Sequence, residues 1–246
     1  KKELYGNAFL QADTPNLNRL KNEFPNSKLF SSGLFVGLPD NQMGNSEVGH
    51  MTIGSGRINY QPLVRINNAI DNNTFFFNDE LLKVMDHVNE NSSKLHIFGL
   101  LSDGGVHSHI NHIFALIKMA KEKGIKKLYI HAILDGRDTK FNNALVYLDT
   151  LNNFLNKIGI GKIATISGRY YAMDREEFYD RVKLYYDCVV NNFGPSYDSY
   201  EELIKDSYHN EEYDEFIKPT IINKLGVVSD NDGIIIANFR PDRLTE

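Results

Sequence analysis

The sequence has 246 residues, 41% hydrophobic and 24% charged, with a net charge of −5. That profile fits a globular protein of one large or two smaller domains, and its acidity argues against nucleic acid or an anionic membrane as partner. A single cysteine, Cys188, leaves no internal disulfide and implies a reducing, cytoplasmic setting; no run approaches the roughly 20 apolar residues of a membrane span.

Thr14 and Pro15, followed by Leu17, Leu20 and Phe24, predict a helix with Thr14 as N-cap and Pro15 at its first position. Residues 34–36 read as a short strand. The polar, glycine-rich stretch 37–50 (GLPDNQMGNSEVGH) follows, with Ser46 near its centre. Glycines there permit close approach by backbone, metal or phosphate, although a tight connection is the ordinary reading of a lone serine in such a turn. Residues 47–57 are ambiguous, because Gly49, Gly54 and Gly56 weaken a helix. Residues 63–70 and 79–88 carry apolar side chains at helical intervals.

A regular alternation then begins. Strands are expected at 95–101, 128–134, 162–166 and 234–239, and helices along Ile110–Ile113–Ile117, Leu145–Leu148–Leu151, Phe178–Val182–Tyr185 and Tyr200–Leu203–Ile204. Gly124 and Gly159 suit helix C-termini. Such an order predicts an α/β fold, a parallel sheet with helices on both faces. Cys188 lies among apolar neighbours and reads as a buried core residue.

Each of four strands is followed by a polar motif: SDGGVHSH, DGRD, SGRYYAMDR and NFRPDR. Ligands of open parallel sheets bind beyond the carboxyl ends of the strands. One shared sheet would therefore bring His107, Arg137, Asp138, Arg169, Arg175, Arg240 and Arg243 toward one crevice. Guanidinium forks match carboxylate and phosphate oxygens, so a small substrate bearing both groups would employ them. Any one of these arginines is more often a partner of a local carboxylate, and Asp135, Asp174 and Asp242 are available for that part. His107, His109 and His112 do not share a helical face, which favours a helix-capping or substrate-contact role over a histidine metal site. A G-x-S-x-G elbow, a G-x-x-x-x-G-K phosphate loop and a dinucleotide G-x-G-x-x-G are all absent from the sequence.

In this order, GLPDNQMGNSEVGH, GSGRINYQ, GLLSDGGVHSHINH, LDGRDT, SGRYYAMDR and NFRPDR resemble the motifs of the cofactor-independent (2,3-bisphosphoglycerate-independent) phosphoglycerate mutases over almost the whole chain. The resemblance implies an enzyme of glycolysis and gluconeogenesis that interconverts 3-phosphoglycerate and 2-phosphoglycerate. It implies an alkaline-phosphatase-like domain holding two divalent metal ions, usually Mn2+, with a phosphotransferase domain inserted into it and no 2,3-bisphosphoglycerate requirement. Ser46 matches the nucleophile that becomes phosphoserine and also ligates a metal. His107, Arg137, Asp138, Arg169, Arg175, Arg240 and Arg243 fall on substrate-binding positions.

The family's leading Asp-Gly metal motif, a later Asp/His-rich segment and a later substrate lysine are missing, and Lys140 and Phe141 stand where proline is common. The chain is therefore expected to be a piece of a longer protein, inactive alone and monomeric. Its expected parts are residues 1–60 of the phosphatase-like domain and 61–246 of the phosphotransferase domain. The rival readings are a metal-dependent phosphomonoesterase, another phosphomutase, and a non-catalytic phospho-ligand binding module.

Overall fold

The structure, a computed structural model, describes residues 5–40 and 42–243. The chain divides into two compact units, one ending at Asn59 and the other beginning at Tyr60.

The first unit contains helices α1 (Ala8–Gln11), α2 (Pro15–Glu23) and α3 (Ser46–Ser55), and a 3-10 turn at Gly33–Val36. Pro15 opens α2 as expected, but the Thr14 side chain makes no capping hydrogen bond. Residues 34–36 are not a strand: they form the 3-10 turn, which Gly37 ends in the left-handed region. Three apolar residues carry no periodicity, so their pattern does not separate the two states. The ambiguous stretch after them is helical. Asn45 caps α3 by accepting the Val48 N–H at 3.1 Å, and Gly56 closes it in a left-handed conformation. Two good ends thus outweigh a cost of about 1 kcal/mol for each internal glycine. Among the described residues, buried apolar packing here is confined to the cluster Val36, Leu38 and Val48, while Leu29, Phe30, Met43 and Ile53 are exposed.

The second unit starts with α4 (Pro62–Asp71) and α5 (Asp79–Glu90), then runs β1 (Leu95–Leu100), α6 (Ile110–Glu122), β2 (Leu128–Leu134), α7 (Ala144–Ile158) and β3 (Lys162–Gly168). It continues through α8 (Arg169–Ala172), α9 (Tyr179–Val190), α10 (Tyr200–His209), β4 (Thr220–Ile221) and β5 (Gly233–Ile236). The strands form one sheet in the order β4-β3-β2-β1-β5. β1, β2, β3 and β5 are parallel, and the two-residue β4 adds an antiparallel edge that no sequence period announces. Because β2 and β3 are laid down on one side of β1 and β5 on the other, the strand order reverses at β1.

Alternation along the strands separates two cores. Leu95, Ile97, Leu128, Ile130 and Leu134 pack with α5, α6, α7 and α10 in the main cluster. Leu100 and Ile133 point the opposite way and pack with Met173 and Tyr185. This second face is covered only in part, unlike the expected full coverage. Ile234 and Ile236 of β5 are 46% and 49% exposed. They border an apolar groove of about 470 Å³ with Phe98, Tyr186 and Val189.

The same face buries two histidines. His96 Nε2 lies 3.1 Å from Asp232 Oδ2, His96 Nδ1 lies 2.9 Å from His131 Nε2, and His131 Nδ1 lies 2.9 Å from Thr165 Oγ1. With both rings neutral, every donor runs toward Asp232, so the row is satisfied without a buried cation. No described helix is long and apolar enough to cross a membrane.

Candidate active site

Ser46 is the first residue of α3, exposed at the helix N-terminus. His50, one turn on, places Nδ1 2.6 Å from the Ser46 carbonyl oxygen and 3.2 Å from Ser46 Oγ. A carbonyl only accepts, so Nδ1 carries the hydrogen and has no lone pair for the serine proton. Ser46 and His50 are therefore not a base-activated pair. The glycine before them answers to packing: a Cβ on Gly44 would come within 1.9 Å of the Ser31 carbonyl oxygen.

In the second unit the loops after β1, β2, β3 and β5 meet at the carboxyl ends of the strands, where the strand order reverses. Leu100 N–H donates to Asn238 Oδ1 at 2.9 Å and Phe239 N–H to the His107 carbonyl at 2.8 Å, joining the first loop to the last. His109 is the N-cap of α6, its ring accepting the Asn111 N–H, and the neighbouring His107 is 3% exposed. At their centre is Arg169, 4% exposed, whose Nη1 lies 2.8 Å from Asp135 Oδ1 and 2.5 Å from Asp138 Oδ2. His107 Nε2 is 3.8 Å from the same Asp138 oxygen.

Asp135 organises this centre. It accepts the Ser102 hydroxyl at 2.7 Å, the Asp138 N–H at 2.9 Å and the Arg137 N–H at 3.2 Å, as well as Arg169. Burial alone would push its carboxyl up; the hydrogen bonds from Asp138, Ser102 and Arg169 together reverse this and hold it below the usual carboxylate range. Asp138 pairs with Arg169, so a local pair with Arg137 is not formed. Arg137 is exposed and reaches Glu215 Oε1 at 3.5 Å. Arg175 and Arg240 both approach Asp242. A cavity of about 240 Å³ is lined by Arg137, Arg169, Arg175, Arg181 and Glu215. The side chain of Arg243 lies outside the described residues.

Both sequence readings of the arginines hold together: they gather at the strand ends, and each described one has a carboxylate partner. Glu215 and Arg181 escaped the sequence reading. Glu215 belongs to a 3-10 turn, Asp214–Phe216, with no motif around it, and Arg181 has the spacing of an ordinary helical surface residue. Arg181 pairs with Asp174 at 3.2 Å and lies 4.0 Å from the Tyr170 ring centroid.

Burial, and then the charge of Arg169, lower the His107 pKa to about 4; burial, and then His109, lower that of His112 to about 4. The unfolded chain, with histidines near 6.5, binds protons that the folded chain refuses between those values. Stability is therefore expected to be complete above pH 6.5 and to fall as the pH drops toward 4, by an order of 3 kcal/mol for each histidine. Urea midpoints at pH 7 and pH 4.5 measure the loss, and replacing His107 and His112 with Gln should remove their share of it, leaving that of His96, His109 and His131, whose pKa values burial also lowers.

Among the described residues no group of three or more His, Cys, Asp or Glu side chains converges to hold a metal. Ser46 offers one oxygen where a divalent cation takes roughly four to eight donors, so these residues alone do not form a metal centre.

Residues 66–246 match the family model for the BPG-independent PGAM N-terminus. Proteins named 2,3-bisphosphoglycerate-independent phosphoglycerate mutase from Clostridioides difficile and Listeria welshimeri are 53% and 52% identical to this chain, each over 98% of it and 48% of their own length. The chain thus spans about half the length of these relatives. A crystal structure of Leishmania mexicana phosphoglycerate mutase at low cobalt concentration superposes with a TM-score of 0.78 at 30% identity, over 95% of this chain and 45% of that one.

Proposed function

Because the chain belongs to the BPG-independent phosphoglycerate mutase family, we propose that it supplies the nucleophile and most of the substrate grip for interconversion of 3-phosphoglycerate and 2-phosphoglycerate. The observation that carries this reading is the convergence of His107, Asp138, Arg169, Arg175 and Arg240 from four strand-end loops. His107 adds to it: Nδ1 is buried without a hydrogen-bond partner among the described residues, the condition of a group awaiting a ligand.

In the reaction the phosphoryl group leaves the glycerate O3 oxygen for Ser46 Oγ, and the proton lost by Ser46 ends on the freed hydroxyl. The reverse transfer, onto the O2 oxygen, regenerates Ser46. The α3 N-terminus, where the helix dipole places partial positive charge, favours the charge gained by a phosphorylated Ser46. The arginines retain glycerate between the two transfers, and Asp138 handles the hydroxyl protons. In this reading the first unit is part of the alkaline-phosphatase-like domain and the second most of the inserted phosphotransferase domain. Two divalent ions, manganese by family resemblance, would lower the charge on the transferring group. Ser46 is the one ligand named here, and the rest would come from other residues.

The full-length protein, given manganese and 3-phosphoglycerate, is expected to form 2-phosphoglycerate and to lose this with Ser46→Ala. Release of free phosphate instead would favour a phosphomonoesterase, and binding without turnover a binding module. Asp138→Asn is expected to slow transfer from phosphoserine to glycerate by more than it slows phosphorylation of Ser46, on the order of 100-fold. Equal loss in both single-turnover steps would remove Asp138 from proton handling.

A further inference from the structure

Two of the substrate-class arginines share one internal carboxylate. Asp242 stands in the 3-10 turn Pro241–Arg243, where Pro241 restricts the backbone. Its Oδ1 lies 2.8 Å from Arg240 Nε, and its Oδ2 lies 3.3 Å from Arg175 Nη1. Arg175 comes from the loop beyond β3 and Arg240 from the loop beyond β5, so this carboxylate bridges two separate loops. Among the described residues neither arginine has another carboxylate partner. Brought together without a counter-ion, two guanidinium groups would repel and swing toward solvent.

The contacts leave the rest of each guanidinium available. Asp242 Oδ1 faces Nε of Arg240 as an ion pair without a hydrogen bond, so both terminal amino groups of that arginine remain for a ligand. On Arg175 it occupies one terminal nitrogen, leaving the Nε and Nη2 edge. Those are the paired donors that a phosphate or carboxylate accepts in bidentate fashion. Asp242 also acts on the centre of the site, because its charge opposes that of Arg240 at the His107 ring.

We propose that Asp242 is a positioning residue, a counter-ion that clamps Arg175 and Arg240 by their inner edges and presents their remaining N–H donors to the anionic group of the substrate. The inference rests on the phosphoglycerate reading above for the identity of that anion. The clamp itself requires only that the two arginines bind an anion together. It carries a definite sign. Were Asp242 an occupant that the substrate must push out, removing its charge would tighten binding; a clamp loses affinity instead.

The test uses this chain and its Asp242→Asn and Asp242→Glu variants, with 3-phosphoglycerate and inorganic phosphate as probes in calorimetric titrations. Asp242→Asn is expected to weaken binding of both by about tenfold or more, the loss of charge-assisted orientation at two arginines. Asp242→Glu should restore most of it, and the urea midpoint should stay near wild type because the Asp242 side chain is 33% exposed. The Arg240 Nε–H resonance should shift between the wild type and Asp242→Asn, which removes the charge 2.8 Å from Nε. This signal needs no ligand and is not moved by a general structural role.

Equal or tighter binding by Asp242→Asn, or an unchanged Arg240 resonance, overturns the clamp. If the wild type binds phosphate but not 3-phosphoglycerate, the substrate reading fails while the phosphate titrations still decide the clamp. Failure of the wild type to bind either probe overturns both.

Discussion

Asp135→Ala is expected to destabilise the second unit by about 3–5 kcal/mol and to abolish detectable binding of 3-phosphoglycerate. The size follows from burial and from the number of partners that lose their acceptor. Asp135 is 2% exposed and receives Ser102, Arg169 and two backbone N–H groups. Its removal leaves the Arg169 guanidinium, itself 4% exposed, with Asp138 as its sole carboxylate among the described residues. The turn that presents Arg137 and Asp138 loses its internal acceptor in the same step. Asp135→Asn keeps one oxygen for the two N–H groups and lets the Ser102 hydroxyl reorient, so a smaller loss of about 1–2 kcal/mol is expected. Urea unfolding, followed by circular dichroism, ranks the three proteins. An alanine variant as stable as the wild type would show that the loops hold themselves in place.

Gly168→Ala is expected to cost about 3 kcal/mol or more and to disturb the arginine site from behind. Gly168 has ordinary extended dihedral angles, φ −65 and ψ 149, so the penalty does not come from backbone conformation. It comes from contact. A Cβ there would lie 2.2 Å from the Glu215 carbonyl oxygen and 2.7 Å from that of Asp214. Both are backbone atoms, and neither can rotate away as a side-chain tip would. The segment is also tied down, since Gly168 N–H donates to the Ile217 carbonyl at 2.7 Å and Asn143 N–H to Asp214 Oδ2 at 2.9 Å. Relief therefore means moving the 214–216 turn, and with it Glu215, away from Arg137. A lower urea midpoint together with a changed affinity for 3-phosphoglycerate is the expected pair of results. An unfolding free energy within about 0.5 kcal/mol of wild type, the range of an unremarkable surface change, would show that the turn gives way freely.

Much of this was legible in the residues. The apolar runs at β1, β2 and β3 and the periodic faces of α6, α7 and α10 each sit where their spacing places them. The four motifs that follow strands also proved to be neighbours in space, because parallel strands deliver their carboxyl ends to one edge. Less was legible in the first unit. There α3 is decided by Asn45 and Gly56 at its ends rather than by a period, and a three-residue apolar run became a 3-10 turn.

By itself, then, the sequence determined the alternation of strands and helices, the position of each polar motif, and the family. All are carried by local spacing and by the order of residues along one chain. Only the tertiary structure decided that Arg169 sits between Asp135 and Asp138, that Arg137 turns to Glu215, and that Asp242 joins Arg175 to Arg240. It likewise decided that β4 runs antiparallel and that the outer face of β5 stays open. Each of these depends on strand order and on which loops lie side by side. An arginine in sequence shows its charge, and its partner is chosen by the fold.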